Sequence, residues 1–141
     1  MISKSALYAL QATVELAQLP AETFASAAHI AQACEAPAKY LSKLLEALVN
    51  CGLVRSRKGL HGGYALARSP GDITVFEVVD AIDPVSRLPE CLLGHRQCSE
   101  AERCPGRHRW RQVREALVQM LAQTTLADLA PRPCHAAARK R

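Results

Sequence analysis

Three cysteines fall within fourteen residues, Cys91, Cys98 and Cys104, in the run CLLGHRQCSEAERCPGRHRW. The spacing is C-x6-C-x5-C, and the intervening residues are charged or turn-forming rather than apolar. A structural cysteine is usually a small buried hydrophobe on a helix or strand. Thiols in a polar loop can instead converge on a soft metal or an iron–sulfur cluster. Three per chain leave one coordination position open, and His108, four residues after Cys104, is the nearest further donor. His95 lies inside the loop. Zinc in a Cys3His set, or bare thiols that respond to oxidation, are alternatives from the same residues. Seven arginines between Arg87 and Arg114 suit compensation of an anionic cluster, and equally a solvated surface.

Elements must position these thiols, and the composition favours helices. Aromatic residues make up 4% of the 141, while alanine and leucine dominate. No apolar run approaches a membrane span, and the N-terminus lacks a signal-peptide pattern, so a cytoplasmic protein is expected. In that compartment clustered cysteines point to metal or redox chemistry rather than disulfides.

Ser5 to Gln18 is predicted as a first helix, with Leu7, Leu10, Val14 and Ala17 on one face. Ser26 can cap a second, Ala27 to Ala33. A third is expected to open at Pro37 and close at Gly52, carrying the stripe Leu41, Leu44, Leu45, Leu48. Extended runs at 53–56 and 64–67 flank a glycine-rich basic turn, the pattern of a hairpin. Thr74 and Glu77 form a helix-start box for a fourth helix ending near Ile82. Residues 83–104 show no periodicity. A last helix, about Gly106 to Gln123, carries Trp110, Val113, Leu117, Met120, Leu121 and Thr124 on one broad face, expected to pack on a second copy.

Three helices followed by a basic hairpin is the order of a winged helix-turn-helix, whose third helix enters the major groove. Between Pro37 and Pro70 six basic residues (Lys39, Lys43, Arg55, Arg57, Lys58, Arg68) face one acid, Glu46. Lys39, Tyr40, Ser42 and Lys43 lie off the leucine stripe, and Arg57, Lys58 and His61 lie in the wing, so these seven are the expected DNA contacts. Double-stranded DNA is the expected partner. A metal or redox enzyme that uses the three cysteines is a further alternative, although no nucleophile–base pair, phosphate loop or paired carboxylates accompany them. A protein–protein adaptor built on the same head is the other alternative.

The run AKYLSKLLEALVNCGLVRSRKGLHGGYALAR resembles the recognition helix and wing of the IscR/NsrR/RirA family of bacterial regulators. Tyr8-Ala9-Leu10, the segment opening Ile73-Thr74, and Thr125 to Leu129 are similar to the same family over essentially residues 1–130. The resemblance implies a homodimer joined by long C-terminal helices, a near-palindromic operator, and an iron–sulfur cluster on Cys91, Cys98 and Cys104. A two-iron cluster is expected over a four-iron one, and iron, nitric oxide or redox stress is the implied signal. Lys58 matches the wing position that approaches the minor groove. Relatives with a histidine ligand carry it where this chain has Arg107, one residue before His108; others use an N-terminal aspartate, where this chain has Tyr8 and no acid before Glu15.

The expected organisation is therefore mainly α. A winged helix-turn-helix head with a two-stranded β wing spans 1–82, and a cysteine-bearing sensor loop spans 83–104. A dimerisation helix spans 105–130, and a basic tail, 131–141, is expected to be disordered. Cys34 and Cys51 are expected to be structural and Cys134 adventitious.

Overall fold

The computed structural model describes residues 2–94 and 104–130. Cys98 and His95, and the tail from 131 onward, lie outside the described residues. The first helix, α1 (Lys4–Ala17), starts where the Ser3 hydroxyl accepts from the Ala6 N–H at 3.1 Å. Its buried face is not the predicted one. Ala6, Ala9 and Ala12 are fully buried, whereas Leu7 is 45% exposed and Leu10 and Val14 are half-buried. The reason is packing: α1 lies against α2 (Ala27–Cys34), α3 (Ala38–Asn50) and α4 (Val75–Ile82), and small side chains let those neighbours approach closely.

Helix α2 is capped by Ser26, whose hydroxyl accepts from His29 N–H. Pro37 is the cap of α3 rather than its first residue. The end of α3 is a Schellman motif, with Gly52 at φ +75°. Leu53 N–H reaches the Leu48 carbonyl at 3.0 Å, and Gly52 N–H reaches that of Val49 at 3.0 Å. That turn feeds strand β1 (Val54–Arg57), which pairs antiparallel with β2 (Gly63–Leu66), Val54 opposite Leu66 and Arg57 opposite Gly63. Ala25 and Tyr64 exchange backbone hydrogen bonds at 2.8 and 2.9 Å, fastening the wing to the α1–α2 linker.

Helix α4 has the predicted reciprocal cap between Thr74 and Glu77. A 3-10 turn, Val85–Arg87, follows within the stretch expected to be irregular. Helix α5 (Pro105–Gln123) packs on α4, and the chain then returns to the head. Thr124 carbonyl accepts from Val75 N–H at 2.8 Å, and Leu126 N–H donates to Ile73 carbonyl at 3.0 Å. A separate short helix, α6 (Leu126–Leu129), buries Leu126 completely in the head core, the cluster that also holds Ile30, Leu41 and Leu45. The dimerisation segment expected over 105–130 is thus two helices, and the second one completes the head. Among the described residues, no helix is long and apolar enough to cross a membrane.

Candidate nucleic-acid interface and thiol-bearing segment

The leucine stripe decides which way α3 faces. Leu41, Leu44, Leu45 and Leu48 are all buried, so the opposite face is turned to solvent. Lys39 and Lys43, one turn apart, are exposed there, and neither is ion-paired to a carboxylate among the described residues. Ser42 is half-buried and donates its hydroxyl to the Ala38 carbonyl at 3.0 Å, a local back-bond. Tyr40 is held against α1. Its hydroxyl hydrogen-bonds the Ser5 hydroxyl, and its ring meets Tyr8 edge-on with centroids 6.1 Å apart. Tyr40 therefore fixes the start of α3 as well as presenting an exposed ring edge.

The wing is braced from beneath. Phe24, in the α1–α2 linker, lies under two guanidinium groups, Arg57 at 4.3 Å and Arg55 at 5.2 Å from its ring centre. Arg55 also pairs with Glu22 at 2.8 Å, and Arg57 donates to the His61 carbonyl at 3.2 Å. Lys58, Leu60 and His61 remain exposed at the tip. The double glycine below it is required. A Cβ on Gly62 would fall 2.1 Å from the Arg57 carbonyl oxygen, and one on Gly63 would fall 2.3 Å from that of Ala25.

Two cations counted from sequence thus belong elsewhere. Arg55 is paired to Glu22, and Arg68 is bound to Glu77 at 2.6 Å and to the Asp72 carbonyl at 2.9 Å. Burial pushes the Glu77 carboxyl up, but the Thr74 hydrogen bonds and the Arg68 guanidinium outweigh it and hold the group below its ordinary range. Phe24 and Glu22 were not legible as wing supports, since the linker shows no pattern of its own. Lys39, Lys43 and Lys58 are left as cations open to phosphate, and the exposed Arg57 guanidinium is held by Phe24 and the His61 carbonyl.

The thiol-bearing segment leaves α4 through the 3-10 turn, where Asp80 accepts the Val85 N–H at 2.7 Å. It is tied to α5 by Trp110, whose indole N–H donates to the Pro89 carbonyl at 2.8 Å. Cys91 is buried, 7% exposed, in a turn closed by Gly94 N–H on the Cys91 carbonyl at 3.0 Å. Cys104 is exposed and caps α5. His108 is exposed on the first turn of α5, with its Nε2 3.1 Å from the Gln112 side-chain amide nitrogen. Among the described residues, no three metal-binding side chains are gathered. Cys91 and Cys104 are thus anchored at the two ends of the segment that carries Cys98, a set of soft donors that suits iron or zinc. Beside it a cavity of about 260 Å³ lies between residues 83–89 and α5, lined by Val79, Val85, Leu88, Trp110, Leu117 and Leu121 among others.

Comparison with known proteins agrees with this architecture. A family model, Rrf2, an iron-dependent transcriptional regulator, matches residues 2–132. The regulator CymR of Bacillus subtilis is 34% identical over 130 residues, covering 92% of this chain and 88% of that one. The solved structure of CymR (YrzC), the global cysteine regulator of B. subtilis, superposes with a TM-score of 0.80 at 32% identity, over 93% of this chain and 96% of its own. The structure of T. potens IscR superposes with a TM-score of 0.75 at 28% identity, over 93% and 86%. A recognition helix with open lysines, a braced basic wing and a match along nearly the whole chain lead to one conclusion: the protein belongs to the Rrf2 family, as a DNA-binding transcriptional regulator and not an enzyme.

Proposed function

We propose that this regulator works as a homodimer whose DNA affinity is set by an iron–sulfur cluster on Cys91, Cys98 and Cys104. The observation that carries the reading is the placement of Cys91 and Cys104 at the two ends of the stretch between head and α5, a stretch tied back to α5 where Trp110 donates to the Pro89 carbonyl. When bound, the cluster supplies a link between thiolates that iron supply, oxidants or nitric oxide can alter. His108 is the candidate fourth ligand, on the turn that Cys104 begins. Lys39 and Lys43 meet phosphates and base edges in the major groove, and Lys58 meets backbone beside the minor groove.

Dimerisation through α5 sets the distance between two such heads, and so the spacing of a near-palindromic operator. A change in how residues 83–104 pack alters that distance, which couples the thiols to affinity. The bacterial cytoplasm, where thiols stay reduced, is the setting this reading requires.

The test is protein purified without oxygen. Visible absorption with two iron and two sulfide per chain, about the content of a two-iron cluster, is expected, and Cys91→Ser, Cys98→Ser and Cys104→Ser should each abolish it. Operator affinity should then differ between the coloured protein and these variants. Identical binding in all of them sinks the sensing claim. A second reading, a cluster-free thiol or zinc regulator, is favoured by similarity to CymR, a cysteine regulator. Colourless protein whose DNA affinity still changes on thiol oxidation, or on zinc removal, would select it.

A further inference from the structure

Leu60 is 95% exposed, more than any other large apolar side chain among the described residues. Isolated exposed leucines are ordinary, but this one is held out by a turn fixed at several points. Gly59 takes φ +107°, Gly62 N–H donates to the Gly59 carbonyl at 3.0 Å, and Gly62 has no room for a side chain. Arg57, stacked on Phe24, holds the His61 carbonyl from below. Leu60 and His61 are therefore the two central residues of a braced turn, with the exposed Lys58 just before it.

We propose that Leu60 is a specificity-determining minor-groove contact, an apolar wedge pressed against a base step at the flank of the DNA site. The proposal rests on the DNA-binding reading of the wing. A minor groove about 6 Å wide admits a single aliphatic side chain but no helix. Its hydrogen-bond pattern is degenerate, so an apolar tip reads groove width and ease of unstacking. A pyrimidine–purine step such as TA unstacks readily and lacks the guanine amino group that would block the groove floor. Because the turn is already ordered, little freedom is lost when the leucine enters. Lys58 neutralises the phosphate beside it.

The experiment uses full-length protein and a duplex that it retrieves from a randomised pool, with 8-vinyladenine, a stacking-quenched fluorophore whose added group lies on the major-groove side, placed at the flanking step. Binding of wild-type protein should raise the fluorescence, since the probe is unstacked. Leu60→Ala should weaken binding roughly five- to tenfold, with the salt dependence unchanged. It should also lose the flanking-step preference and the fluorescence rise, and Leu60→Met should retain both. Lys58→Ala should lower the salt slope by about one and keep the fluorescence. Wild-type affinity and fluorescence in Leu60→Ala would overturn the wedge while leaving DNA binding in place. Failure of the wild-type protein to retrieve any duplex would overturn the DNA-binding reading, and the wedge with it.

Discussion

Helices α3 and α5 both announce themselves by an apolar stripe, yet the protein treats the two stripes differently. In α3 every leucine of the stripe is buried by the chain's own core, and a Schellman turn closes the helix end. In α5 the stripe divides. Leu121 is buried, Trp110 and Leu117 are half-buried, and Val113 and Met120 stay 54% and 50% exposed, with a cavity of about 260 Å³ beneath the helix. Periodicity says that a face is to be covered but not what covers it. The stripe of the recognition helix is covered within one chain. The helix next to the thiols is covered along only part of its stripe, and the rest faces solvent.

The largest effect should separate the two helices by stability. Leu45→Ala removes a fully buried side chain and leaves a cavity, at a cost of about 3 kcal/mol in chemical unfolding. Met120→Ala, half-exposed, should cost roughly 0.5 kcal/mol or less in unfolding of the head itself. Equal losses at the two positions would break the comparison.

Next in size is the effect of a charge on the open half of the α5 stripe. Val113→Asp with Met120→Asp should leave helical content and the head intact while light scattering changes from dimer to monomer. A single head loses the effective concentration supplied by its twin, so DNA affinity should fall about a hundredfold. A variant that remains a dimer would show that this face is not the interface, and α5 would then differ from α3 only in packing quality.

The same contrast explains what could be read in advance. Caps and stops are local, so Ser26, the Thr74–Glu77 box and Gly52 marked their elements to within a residue or so. In the structure Thr125 and Asp128 form a reciprocal cap as local as these, but in the sequence Thr125 to Leu129 stood out only as a family likeness, and its place in the head did not. The pairing of residues 124–126 with 73–75 joins segments about fifty residues apart, and no nearby pattern specifies it. Charge counting erred for a related reason. Arg55 and Arg68 are basic in sequence, and only geometry reveals that Glu22 and Glu77 hold them. The face of α1 was misjudged because a helix at the centre of a bundle buries its alanines and exposes a leucine. Cysteine type and spacing were legible, whereas ligand convergence depends on Cys98, outside the described residues.

The smallest expected effect lies on α4, which packs against both helices. Glu77 accepts from the Thr74 N–H at 2.9 Å and from Arg68 at 2.6 Å, and its carboxyl titrates below the ordinary glutamate range. A depressed carboxylate contributes stability that is present above its unfolded pKa and lost as pH falls through the folded one. With both partners more than a third exposed, solvent screens the ion pair, so most of the contribution comes from the cap. Glu77→Gln should therefore cost up to about 1 kcal/mol at neutral pH. That difference from wild type should shrink as pH falls below the ordinary glutamate range. Arg68→Ala should give a smaller loss with the same pH trend. If α4 is the shared support of the recognition helix and α5, weakening its cap lowers overall stability without changing the salt slope of DNA binding. A changed slope would place Arg68 among the phosphate contacts and return it to the interface from which the Glu77 pair removes it.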